Sequence, residues 1–177
     1  MTDTDTKSAQ GSPFWRFSLQ FYRQPGVADA CITLQEESGV DVNLLLFLLW
    51  HAARQRAFAA SDIAALEAKI GAWREATVVP LRAVRRALKS PPALIEPGTA
   101  EAFRTRIKAV ELEAERLQQE AMYALAQASL LGRAAPSATE AARANVAAYA
   151  AMRAVAFPRP AVETLLAAFT TLHAKGE

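Results

Sequence analysis

Four cations carry the strongest chemical signal in this 177-residue chain: Arg82, Arg85, Arg86 and Lys89. Their spacing puts all four within about 100° of one helix face, with Leu81, Val84 and Leu88 on the other side. Like charges this close repel, so the face needs counter-charges. The chain can supply them from Glu111, Glu113, Glu115 and Glu120, or from Glu67 and Glu75. Otherwise an anionic partner must: an acidic protein surface, a phosphate group or nucleic acid. Arg74 extends the stripe if Pro80 does not rotate the helix. Nucleic acid is the weakest of these partners. Twenty Lys plus Arg against 18 Asp plus Glu leave a charge of only +2, and no stacking aromatics interleave the arginines.

A second group lies upstream. Asn43, Phe47, His51 and Arg54 share one helix face, and with Trp50 they could line a polar pocket. In the simpler arrangement Asn43 completes the first helical turn, and His51 and Arg54 mark where the helix meets water. Asp41 and His51 are ten residues apart, about 15 Å along a helix, too far for a catalytic pair. Cys31 sits with Val27 and Leu34 on an apolar face and reads as a small core hydrophobe. One Cys and two His do not make a zinc site. Glu36-Glu37 and Glu111, Glu113, Glu115 are spaced to point apart, and no Glu-x-x-His pair occurs. There is no G-x-G-x-x-G, Walker A, G-x-S-x-G or H-E-x-x-H motif. We therefore expect no catalytic residue, no cofactor and no metal. The expected function is a non-enzymatic interaction or accessory protein, docking a protein partner through the basic face or an apolar groove. The alternative is a small helical enzyme or ligand-binding protein, with a pocket near Asn43 and His51 and the Arg82–Lys89 stripe.

The elements that must position these residues all read as helices. Ser12-Pro13 starts an aromatic helix to about Arg23. Val27, Ala30, Cys31 and Leu34 mark a second, stopped by Gly39. Asp41 caps a third over 42–57, apolar all round in its first half and hence central. Ser61 caps a fourth, with Ile63, Leu66, Ile70 and Trp73 inward. Pro80 forces a kink or a new start, and the helix resumes to about Ser90. A proline-rich linker spans 91–98. A long helix over 100–131 carries Phe103, Ile107, Val110, Ala114, Leu117, Ala121, Ala124, Ala128 and Leu131 in heptad spacing. This seam either folds back on a helix over 137–155 as a hairpin or pairs two copies of the chain. A last helix runs over 161–174.

The sum is an all-α bundle of about seven helices with a long C-terminal hairpin, one domain over 12–177 behind a polar tail over 1–11. At 52% hydrophobic and 21% charged, the composition is globular. The longest apolar run, Val42 to Trp50, covers about 13 Å as a helix and cannot span a bilayer. No apolar leader follows Met1, so a cytoplasmic location is expected.

Phe14-Trp15, Ser18-Leu19 and Tyr22 are followed by Pro25-Gly26-Val27, Cys31, Leu34-Gln35 and Gly39. Asp41-Val42-Asn43-Leu44-Leu45-Leu46-Phe47 and Trp50 come next, then Trp73, Pro80-Leu81-Arg82, Arg85-Arg86 and Leu88-Lys89. In these residues the chain resembles an uncharacterised proteobacterial family of small all-helical proteins, over roughly residues 13 to 130. The resemblance implies a bacterial, cytoplasmic, all-helical protein and carries over no activity and no catalytic residue.

Overall fold

The computed structural model describes residues 11–174; all but the last residue of the expected polar tail lies outside them. Ser12 caps α1 (Pro13–Tyr22), its hydroxyl accepting from the Trp15 amide. Gly26 and Gly39, both at positive φ, bracket α2 (Val27–Ser38). Asp41 caps α3 (Val42–Ala52), and every residue of α3 from Asn43 to Ala52 is buried. A helix apolar on all sides must be surrounded, and α3 packs against α1, α6 and α7.

α3 ends five residues earlier than its sequence suggests. Gln55 turns the chain at φ 54°, and β1 (Arg56–Ala57) pairs antiparallel with β2 (Arg133–Ala134), Arg56 opposite Ala134. Gly132 leads into β2 at φ 65°, where an added Cβ would lie 2.7 Å from the Ala57 carbonyl; only glycine fits there.

α4 (Ala60–Trp73) is capped at Ala59, two residues before Ser61: Asp62 accepts from the Ala59 amide at 2.9 Å. Ile63, Leu66 and Ile70 face inward as expected, but Trp73 does not. α4 continues through a π-helical turn (Arg74–Val78) into α5 (Val79–Ala87). Pro80 cannot donate an amide, and its ring crowds the preceding turn. The widened turn accommodates it without breaking the rod. Counting 60–87 as one rod gives seven helices among the described residues.

α6 (Pro97–Ala128) is capped by Glu96, which accepts from the Gly98 and Thr99 amides at 2.9 and 2.7 Å. Ser137 caps α7 (Ala138–Arg153), and α8 (Arg159–Ala174) follows. No helix among the described residues is long and apolar enough to cross a membrane.

The long helix finds other neighbours than α7. It lies along α5 and the π turn and crosses α1 and α3, while α7 packs against α3, α4 and α8. β1 lies between α3 and α4 and β2 between α6 and α7, so the ladder ties these two connections together. The buried face of α6 also differs from the heptad seam. Ala100, Glu111, Ala114, Gln118, Gln119 and Met122 are buried, whereas Phe103, Val110 and Leu117 are exposed. Polar residues with partners outcompete apolar ones for this face. No residue of α5 is buried, and on α6 none is buried between Ala100 and Glu111. α5 and the first half of α6 thus form an arm held mainly by each other.

Candidate functional site

Asp41 is the hub of a polar junction between α3, α6 and the π turn. Its Oδ1 accepts from the Asn43 and Leu44 amides at 2.8 and 3.4 Å. Its Oδ2 accepts from Arg74 Nη1 at 3.0 Å and Gln118 Nε2 at 2.9 Å. The Asp41 amide donates to the Tyr149 hydroxyl at 2.9 Å; burial pushes that hydroxyl's pKa up. Asn43 donates to Gln118 Oε1 at 3.2 Å and accepts from Gln119 Nε2 at 2.8 Å. A cleft of about 240 Å3 opens beside this junction, lined by Asp41, Asn43, Arg74, Arg82, Glu115 and Arg153 among others. Arg74 is also bound to Glu67 at 2.6 Å and Glu75 at 3.1 Å. Burial pushes Glu115 up, against the pull of Arg82. The cleft thus holds mutually neutralised charges, and Arg153 is its one arginine without an ion pair among the described residues.

The basic stripe is largely neutralised within the chain. Arg82 donates to Glu111 at 3.1 Å and Glu115 at 2.8 Å. Arg85 is bound to both carboxylate oxygens of Glu111. Arg86 pairs with Glu36 at 3.0 Å, with both side chains half exposed. Lys89 is exposed at the end of the arm. Two of the acids expected from the sequence, Glu111 and Glu115, therefore serve the stripe. Glu67 and Glu75 serve Arg74 instead, and Glu113 pairs with Arg116. Burial would raise the Glu111 pKa, but hydrogen bonds from Arg85 and Arg82 hold it below the usual carboxylate value.

The expected pocket residues do not converge. Asn43 and Arg82 line the cleft, while Trp50 and His51 are buried in an aromatic cluster. Arg54 does meet water, stacking its guanidinium 3.8 Å from the Trp50 ring. His51 does not: it is 6% exposed, with Phe47, Trp50 and Phe58 rings at 4.5, 4.9 and 5.2 Å. Phe58 folds over it after the Gln55 turn, which the helix pattern alone could not foresee. Neither imidazole nitrogen has a hydrogen-bond partner among the described residues. Burial lowers its pKa to about 4, helped by the nearby charges of Arg54 and Arg56. Cys31 is fully buried, its thiol pushed up to about 12, as a core hydrophobe should be. No group of His, Cys, Asp or Glu among the described residues could hold a metal ion.

The least expected surface is apolar. Phe103, Val110 and Leu117 are 42%, 53% and 45% exposed, and Trp73 is 41% exposed. The three α6 residues are each seven apart, so they form one line about 21 Å long. The Trp73 indole donates to the Ala114 carbonyl at 3.0 Å, which pins it to α6 between Val110 and Leu117. The heptad pattern marks these residues, and its hairpin reading places them inside the chain, where they are not.

Residues 13–122 match the family described as Protein of unknown function (DUF2390), and the chain belongs to that family. The matched region holds α1 to α5 and α6 as far as Met122, and so Asp41, the arginine stripe, Trp73 and the apolar line; α7 and α8 follow it. No curated protein and no solved structure matches the chain.

Proposed function

We propose that this member of a family of unknown function is a non-enzymatic interaction protein. It seats an amphipathic helix of a protein partner along α6, on Phe103, Val110 and Leu117 beside Trp73. One observation carries this reading: three large apolar side chains share a helix line in water, with an indole fixed next to them. Scattered exposed apolar residues are ordinary. A line at helical spacing matches the anchors of a helix laid in a groove.

The basic face has less support as the docking site. Arg82 and Arg85 would have to leave Glu111, whose buried carboxylate would then lie uncompensated. Nucleic acid has less support for the same reason. A pocket built from Asn43, Trp50, His51 and Arg54 has less support too, since they lie in separate places. The bacterial, cytoplasmic setting that the family resemblance implies belongs to this reading.

Covalent footprinting of side chains tests the proposal, comparing the full chain in its host cells with dilute purified protein. We expect Trp73, Phe103, Val110 and Leu117 to be labelled less in cells. Leu112, exposed on the opposite face of α6, should be labelled equally. Equal labelling at all five positions overturns the proposal.

A further inference from the structure

Resting on that reading, we infer that the helix seated on the apolar line is α6 of a second copy, running antiparallel about an axis at Val110. The line is self-complementary in this arrangement. Phe103 and Leu117 are each seven residues from Val110, so each Phe103 meets Leu117 of the other copy, and Val110 meets itself.

Charge along α6 selects the direction. Before Val110 it carries Arg104, Arg106 and Lys108 against one acid, Glu101. After Val110 it carries Glu111, Glu113, Glu115 and Glu120 against one cation, Arg116. A parallel pair would set like on like; an antiparallel pair sets basic on acidic. Glu111 and Glu115 are engaged by the arm's own arginines, so the charges that decide lie beside the line. Arg106 follows Phe103 by three residues and Glu113 follows Val110 by three, so both flank the same edge of the stripe. About the Val110 axis, Arg106 falls within one residue of Glu113 of the second copy. Such flanking charges set register and orientation between paired helices. Glu113 is held by Arg116 at 2.7 Å, a surface pair of the kind that exchanges readily. The contact is short and each copy offers few apolar groups. The dimer is therefore weak and concentration-dependent.

Two experiments on the full chain decide it. In the first, Val110→Cys is oxidised mildly; Cys31 is buried and stays silent. We expect a disulfide-linked dimer from Val110→Cys and none from Leu112→Cys. In the second, sedimentation equilibrium compares the wild type with Arg106→Glu and with Arg106→Glu/Glu113→Arg. The single change should weaken association about tenfold by setting like charges together, and the double change should restore it. A wild type that stays monomeric at high concentration overturns the second copy as occupant. So does equal cross-linking at Leu112, or a double variant no better than the single. If the dimer is absent and the line is still shielded in cells, the docking proposal stands with another partner. If neither is seen, both fall.

Discussion

His51 gives the chain a pH-dependent weakness whose size follows from its surroundings. The imidazole is enclosed by Phe47, Trp50 and Phe58, has no partner for either nitrogen, and lies near the cations Arg54 and Arg56. No acid among the described residues is positioned to stabilise a charge there. In the folded chain its pKa is lowered to about 4 from an ordinary 6.5. The unfolded chain therefore binds this proton first. The stability lost is nil well above pH 6.5 and grows as pH falls toward 4. At pH 5 the unfolded imidazole is almost wholly charged and the folded one about a tenth so, a loss of about 2 kcal/mol. For a chain of this size that lowers the midpoint of thermal unfolding by roughly 4–8 °C. The perturbation is His51→Phe, which keeps an aromatic ring in the cage and removes the titration. Denaturant unfolding of both proteins at pH 7.5 and pH 5 isolates the term, because every other titrating group is common to both. The wild type should lose about 2 kcal/mol more than the variant over that interval. Equal losses would refute the reasoning, as would an imidazole resonance of His51 titrating near 6.5.

Two further changes probe the framework. Asn145 is fully buried; it accepts from the Phe58 amide at 2.8 Å and donates to the Leu48 and Arg56 carbonyls at 2.9 and 3.0 Å. Asn145→Ala should cost about 2–4 kcal/mol by orphaning these groups, read from denaturant unfolding; a cost under about 1 kcal/mol would mean that the Gln55 turn is held by other contacts. Glu111→Gln removes the carboxylate shared by Arg82 and Arg85 and should loosen the arm. Amide exchange in α5 should rise by at least about tenfold while α3 and α7 stay protected, and unchanged α5 protection would place the arm's hold elsewhere.

Local signals were the legible ones. Ser12 and Asp41 cap their helices as their sequence positions suggest, and Gly39 closes α2, because a cap needs only its own next turn; Ser61 does not cap α4, whose cap is Ala59, two residues earlier. The central place of α3 was legible because an all-apolar helix has only one stable environment. What depended on distant residues was not. The two-residue ladder joins segments about 75 positions apart and has no periodicity of its own. His51 looked like an exit to water until Phe58 folded over it. For the arginine stripe, the sequence named Glu111 and Glu115 among the acids that could neutralise it, but not Glu36, which lies 50 residues before Arg86 on α2. The seam on α6 was legible as a pattern, but folding it onto α7 as a hairpin misplaced it, since periodicity reports which side chains share a face and not what that face meets.

That error has an energetic cause, which also explains the exposed line. Glu111 follows Val110 by one residue and Gln118 follows Leu117 by one, so the buried face and the apolar line differ by about 100° of rotation. Turning α6 by that amount would bury the exposed halves of Phe103, Val110 and Leu117, a gain of about 1 kcal/mol each. It would also detach Gln118 from Asp41 and Asn43, Gln119 from Asn43, and Glu111 from Arg82 and Arg85. Each neutral group orphaned in the interior costs about 1–3 kcal/mol, and an unpaired buried charge costs more. The polar junction at Asp41 wins, and it fixes which side of α6 faces out. The line is therefore exposed because the fold commits α6 elsewhere, and an apolar surface held in water by that commitment gains by being covered by a second helix.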